Sequence, residues 1–349
     1  MLHLTLASTI AIAKVRKKAE MFFGLSMLIL FVFAAIRYDF GNDYMSYSKA
    51  YNRIQNGADV FENEALYTLL NKILPDFKIL VAITSAITIF PVYKMAKSWV
   101  PEQYLWLSVF VYVVNPYIFL MSLSAIRQSL ATSFFIWALY FSHKRKLLPY
   151  IALVLIASSF HISAIILLPI YLIANERKVN RLQILLIIIV ISALLLSNEL
   201  FDNLISRAME IFKNEQYDSY INDLSNSVRA TVLTSLYLVY VLININKLEG
   251  PQLMCAKLYS IGLICGILAF NIAMMTRIQM YFDVFSVVAI PSIICVNYQN
   301  KKVNTLPKVL NIYVMPIVLV IIYFLRYYSF FTNDLWEKFF EYQTIWSFL

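Results

Sequence analysis

The sequence predicts an all-α fold, a polytopic integral membrane helix bundle of about 10–12 spans, read as a single transmembrane domain over residues 1–349. Three observations carry that prediction. First, 61% of the 349 residues are apolar and 14% charged, with a mean hydropathy of +0.70, whereas soluble domains run near half apolar and a quarter charged. So many apolar residues exceed what one soluble core of this length can hide, and the excess faces lipid. Second, apolar runs approaching the roughly 20 residues that cross a bilayer recur along the whole chain. Third, the basic residues punctuate the ends of those runs.

In chain order, the first run, 1–13, is short. It reads as a first span and not a signal peptide, because Lys14, Arg16, Lys17 and Lys18 follow it instead of preceding it. Spans follow near 21–36, 77–93, 103–121 and 125–142. The stretch 147–174 divides into two short spans turning at Ser158-Ser159-Phe160-His161. That division keeps Arg177, Lys178 and Arg181 on the same face as Lys144, Arg145 and Lys146. Further spans fall near 182–197, 230–245, 256–275, 280–297 and 309–325. The connection 197–229 is a large extracytoplasmic loop. Within it, Leu200, Leu204, Ile205, Ala208, Ile211 and Phe212 at helical spacing suggest an amphipathic helix lying on the surface or a plain packing helix.

With the 14–18 cluster in the cytoplasm the later loops alternate consistently. The inner loops then also hold Lys94, Lys97, Lys247, Lys257, Lys301, Lys302 and Lys308, and with the clusters above they collect most of the 29 basic residues. The outer face gathers the unusual polar residues. These are Arg37-Tyr-Asp39-Phe-Gly41-Asn-Asp43-Tyr44 with Tyr47, Tyr51 and Arg53; Arg127-Gln128; His161; Arg207, Tyr217, Tyr220 and Arg229; and Arg277-Ile-Gln279. An aromatic-rich tail, 326–349, closes the face. Arginines at four separated span ends (37, 127, 229 and 277) converge if the helices bundle. A guanidinium presents a planar fork that matches phosphate in two contacts, and a lipid-linked diphosphate places its charge at this depth. The alternatives are plain: such arginines also snorkel to headgroups, a lone His more often packs than catalyses, and Asp39 and Asp43 around Gly41 suit an Asx-type turn.

Several classes are excluded. No GxxxxGK[ST], GxGxxG, HExxH or Asp-x-Asp is present, so ATP hydrolysis in this chain and metal-held nucleotide sugars are not expected. Cys255, Cys265 and Cys295 lie in apolar runs and offer no paired framework. The three histidines are far apart, so neither a metal nor a cofactor is expected. The +9 charge is not gathered on one polar element, which argues against nucleic acid as a partner.

The collected residues resemble the EpsG family of Wzy-type polysaccharide polymerases. The likeness rests on Arg37…Gly41-Asn-Asp43-Tyr44…Tyr47 with Glu64 downstream, Arg127-Gln128-Ser-Leu-Ala, Phe160-His161-Ile-Ser163-Ala and Arg277…Tyr281-Phe282. The resemblance implies a GT-C-like helical fold in the bacterial cytoplasmic membrane, with the active site facing outward. It implies an enzyme that polymerises oligosaccharide repeat units carried on undecaprenyl diphosphate, moving the growing chain onto the terminal sugar hydroxyl of an incoming unit. The product is a surface polysaccharide such as O-antigen of lipopolysaccharide, capsule or exopolysaccharide. The partners implied are the lipid-linked oligosaccharide, membrane lipids, a flippase and a chain-length regulator.

On this reading Arg127 and Arg277 bind the diphosphate, Arg37 positions donor or acceptor, and Gln128, Arg229 and Tyr44 line the substrate. His161 is the first candidate base and Asp43 the second. A flippase for the same lipid is the main rival, but it should show inverted repeats and midplane polar residues. An acyltransferase or a polysaccharide ligase shares the outer-face geometry, and a non-enzymatic scaffold is the bland alternative.

Overall fold

The computed structural model describes residues 2–14, 18–61, 63–174, 177–179, 227–299 and 306–346. The expected span at 182–197 lies outside the described residues, as do Arg16, Lys17, Arg181, Lys301 and Lys302. So does the loop 197–226 with its amphipathic segment, Arg207, Tyr217 and Tyr220.

Helices α1 (Leu2–Ala13) and α2 (Ala19–Ala35) form a hairpin, and a two-residue strand β1 (Arg37–Tyr38) follows. Two short helices, α3 (Tyr44–Gln55) and α4 (Ala65–Ile73), lie between the hairpin and the long α5 (Phe77–Trp99). Next come α6 (Leu105–Val114), α7 (Phe119–Ser124), α8 (Ile126–His143) and α9 (Leu147–Phe160). At His161 the chain reverses. It returns through a 3-10 helix, Ile162–Leu167, and α10 (Ile170–Ile173), and the Ser142 hydroxyl donates to the Ala174 carbonyl at 2.9 Å beside the basic loop 144–146. This is the two-segment path the loop charges require.

The second half contains α11 (Val228–Asn244), α12 (Gly250–Leu268), α13 (Met275–Asp283) and α14 (Ser286–Gln299). After a π turn at Leu310–Val314 comes α15 (Met315–Phe331). A second two-residue strand, β2 (Gln343–Thr344), pairs antiparallel with β1 in the register Arg37↔Thr344.

Four described helices are long and apolar enough to cross a bilayer: Phe77–Trp99, Val228–Lys247, Gly250–Leu268 and Leu310–Phe331. The α13–α14 pair, bent by 55°, makes a fifth, and five further apolar helices are 10–17 residues long. Helix faces confirm the solvent they meet. On α11, Val228, Val232, Leu236, Val239 and Ile243 form an exposed apolar stripe at helical spacing. The protein is an all-α polytopic membrane helix bundle.

The sequence boundaries shift in three places. The run 103–121 is broken after Val114, where Asn115 and Pro116 end α6 before the short α7. The run 256–275 is displaced toward the N-terminus, with α12 covering Gly250–Leu268 and opening on Pro251 at its first turn. The last span continues to Phe331, which places Arg326 inside a helix and not in a tail.

Candidate active site

The loop after β1 sets the site. Asp39 has φ +41° and Gly41 φ +104°, a conformation that favours glycine. A Cβ on Gly41 would also come within 3.3 Å of the Leu123 carbonyl oxygen. The loop thereby lies flat on the break between α7 and α8. There the Ser124 hydroxyl donates to the Asp43 carboxylate at 3.1 Å and accepts from the Asp43 backbone N–H at 3.2 Å. This seats α3 so that Tyr47, one turn in, meets the start of α8.

Three chain breaks then deliver three side chains to one point. Glu64 precedes α4 but makes no capping bond, so its carboxylate is available to side chains. Arg127 is the second residue of α8, and His161 sits in extended backbone where α9 stops. Arg127 Nη1 donates to Glu64 Oε2 at 2.6 Å, and His161 Nδ1 lies 2.7 Å from Glu64 Oε1. Glu64 is nearly buried, its side chain 6% exposed, whereas the Arg127 side chain keeps 28%. Arg127 Nε donates to the Tyr47 hydroxyl at 3.4 Å, and its guanidinium lies 4.4 Å from the centre of the Phe61 ring.

The electrostatics are consistent with the geometry. A cation in the first turn of a helix meets the positive end of the macrodipole, and Glu64 offsets that cost. Burial pushes the Glu64 carboxyl up, but the His161 hydrogen bond and the Arg127 charge outweigh it, leaving Glu64 below its ordinary value. An ionised Glu64 accepts a hydrogen bond from Nδ1–H of a neutral His161, the tautomer that carries its lone pair on Nε2. Neither that Nε2 nor Arg127 Nη2 has a partner among the described residues. The arrangement therefore offers a proton acceptor and a partly exposed cationic fork side by side.

A second tier holds the cluster in place. The Gln128 amide donates to the backbone carbonyl of Arg277, and Ser163 shares a 2.8 Å hydrogen bond with Tyr281 on the same helix, α13. The Arg277 side chain is exposed on this helix. A cavity of about 40 Å³, its wall mostly apolar but with Thr88, Thr132, Ser133 and Gln128, the residue after Arg127, in it, is large enough for water. No group of three or more His, Cys, Asp and Glu comes together as a metal site among the described residues.

The structure thus joins Arg127 and His161 through Glu64, and ties Gln128, next to Arg127, to the backbone of Arg277 on α13. Asp43 is exposed and bonded to Ser124, and Tyr44 is buried edge-on against Phe77 at 5.2 Å. Arg37 is placed differently. It is 1% exposed and spends its donors on the Ala34 carbonyl, Ser85 Oγ at 2.9 Å and the Leu123 carbonyl at 3.1 Å. It ties α2, α5 and α7 together beneath the loop and touches none of the three cluster residues. Arg229 is exposed in the first turn of α11, with no contact to the cluster. The residue that sequence reasoning left without a role is Glu64. Its neighbours Asn63 and Ala65 carry no motif, and only the distant pairing with Arg127 and His161 marks it.

A model of the EpsG family matches residues 20–344, nearly the whole chain. The chain belongs to the EpsG family. Its membership suggests a polysaccharide polymerase-type role for this membrane protein. No curated protein and no solved structure gives a significant match. The EpsG-family match takes in β1, the loop 39–43, both ends of the α13 tether and β2.

Proposed function

We propose that this EpsG-family protein is a glycosyltransferase that joins oligosaccharide repeat units carried on undecaprenyl diphosphate into a surface polysaccharide, at the outer face of the bacterial cytoplasmic membrane. The observation that carries the reading is Glu64 bridging Arg127 and His161, with one guanidinium edge and one imidazole nitrogen left over. In the reaction, the acceptor hydroxyl gives its proton to His161 Nε2 as its oxygen bonds to the anomeric carbon of the growing chain. The bond from that carbon to the diphosphate oxygen breaks, and the diphosphate leaves with the electron pair. Arg127 faces the developing charge, with Arg277 as a second cation from α13. Glu64 orients the imidazole and stabilises it when protonated, and Asp43 is the alternative proton acceptor.

The test is deletion of the gene in its host, with surface glycans resolved on a gel and complementation by wild type, Arg127→Ala and His161→Ala. The expected result is collapse of the ladder to a single repeat unit, restored by wild type alone, with both variants still in the membrane. Losing the proton acceptor should slow polymerisation about 10²–10⁴-fold. Loss of every band, the single unit included, would assign a flippase. Free polymer that fails to reach its final acceptor would assign a ligase. A full ladder from Arg127→Ala would remove the proposed role of that residue.

A further inference from the structure

The bundle holds two further ionisable residues, Arg326 and Asp283, that the cluster above does not use. Arg326 on α15 donates from Nη2 to Thr234 Oγ1 of α11 and lies 5.1 Å from the centre of the Tyr237 ring. It forms no ion pair among the described residues. Asp283, a carboxylate whose charge acts on it without an ion-pair contact, is 3% exposed and already takes the Gln279 amide at 3.0 and 3.3 Å. The buried Tyr323 hydroxyl makes no hydrogen bond of its own. Thr234 takes one guanidinium donor of Arg326, and the others have no hydrogen-bond partner among the described residues. A guanidinium without a contact counter-ion is costly in a membrane interior, and a phosphate, with several acceptor oxygens matched to the fork, is the anion that satisfies it.

The surroundings say what carries that phosphate. Val232 and Leu236 on α11, and Phe324 and Leu325 on α15, are exposed apolar side chains on the two helices that hold Arg326. An anion arriving there brings an apolar tail. The site also connects to the first cluster through α13, whose Arg277 carbonyl is held by Gln128 and whose last residue is Asp283.

We propose that Arg326 binds the phosphate head of a second lipid-linked substrate, at a site distinct from the Glu64–Arg127–His161 cluster. This rests on the polymerase reading, in which both reactants arrive on lipid diphosphates. The test is native mass spectrometry of the full chain in nanodiscs, titrated with undecaprenyl diphosphate, phosphatidylglycerol or inorganic diphosphate. Wild type should take up two undecaprenyl diphosphates, and Arg326→Gln and Arg127→Gln one each. Competition by inorganic diphosphate supports recognition through the head. Two bound lipids in Arg326→Gln would overturn the inference. Displacement from this site by an equal amount of phosphatidylglycerol would make it a general phospholipid site and overturn the assignment to a substrate. One bound lipid in wild type, lost in Arg326→Gln but kept in Arg127→Gln, would support this site while overturning the role of Arg127 above. Should Arg326→Gln fail to insert, Asp283→Asn decides: removing the neighbouring negative charge tightens binding if Arg326 holds an anion. Full binding restored in the Arg326→Gln/Asp283→Asn double variant would reduce the pair to a structural one.

Discussion

Replacing Glu64 by Gln keeps the shape of the bridge but removes the charge that faces Arg127 and fixes the proton on His161 Nδ1. The amide can accept from one partner only, and its NH₂ points a donor at the other, so His161 loses its orientation. Polymer formation should fall at least about a hundredfold. Stability should fall by roughly 3 kcal/mol, the low end for breaking a buried ion pair, because Arg127 keeps some water. The same residue gives a pH test. Its folded value lies below the ordinary 4.5, so its contribution is present above that value and is lost as pH falls through the folded one. Melting of the detergent-solubilised protein should therefore drop more steeply between about pH 5 and 3 in wild type than in Glu64→Gln. Parallel curves would show that the carboxylate is not held by these partners. Arg127 and His161 were legible from the sequence because each sits at the end of an apolar run. Glu64 was named there but given no role, since its meaning comes from partners 63 and 97 positions away.

At the scale of elements, the site depends on how closely short helices approach one another. A Cβ on Gly262 of α12 would meet Phe282 Cβ of α13 at 2.8 Å, closer than packed side chains come. Gly262→Ala should push α13 off α12, cost about 1–3 kcal/mol by overpacking, and loosen the Ser163–Tyr281 and Gln128–Arg277 tethers together. The expected outcome is a reduced ladder with the membrane level nearly kept. An unchanged ladder would show that α13 does not set the geometry around His161. Hydropathy located the runs that become α5, α11 and α15, because a long apolar face is visible at any register. It merged α6 with α7 and misplaced the ends of α12, since breaks at Asn115-Pro116 and near Phe270 are decided by packing and turn geometry within a continuously apolar stretch.

Across the whole molecule, the last described segment closes over the loop that seats α3. A 3-10 helix, Asp334–Phe339, leads to β2, and Tyr342 stacks on Phe33 with ring centres 4.0 Å apart. The Tyr342 hydroxyl donates to the Phe33 carbonyl at 2.6 Å, Asn42 donates to the Leu335 carbonyl at 2.8 Å, and Lys338 pairs with Asp39 at 2.9 Å. The sequence showed here only an aromatic tail, because a two-residue strand is too short for a period of two to register. Each of these contacts is small. The Lys338–Asp39 pair is exposed enough to be worth no more than about 1 kcal/mol, so Lys338→Ala should leave polymer length unchanged. Ending the chain after Thr332 removes all of them at once and exposes the backbone of β1 and of the loop 39–43. Truncation should leave the protein in the membrane, since every described long apolar helix precedes Thr332. It should also abolish the ladder and open the loop to limited proteolysis around Gly41. A truncated chain that resists cleavage there and still builds full-length polymer would mean the loop holds its shape against α7 and α8 alone.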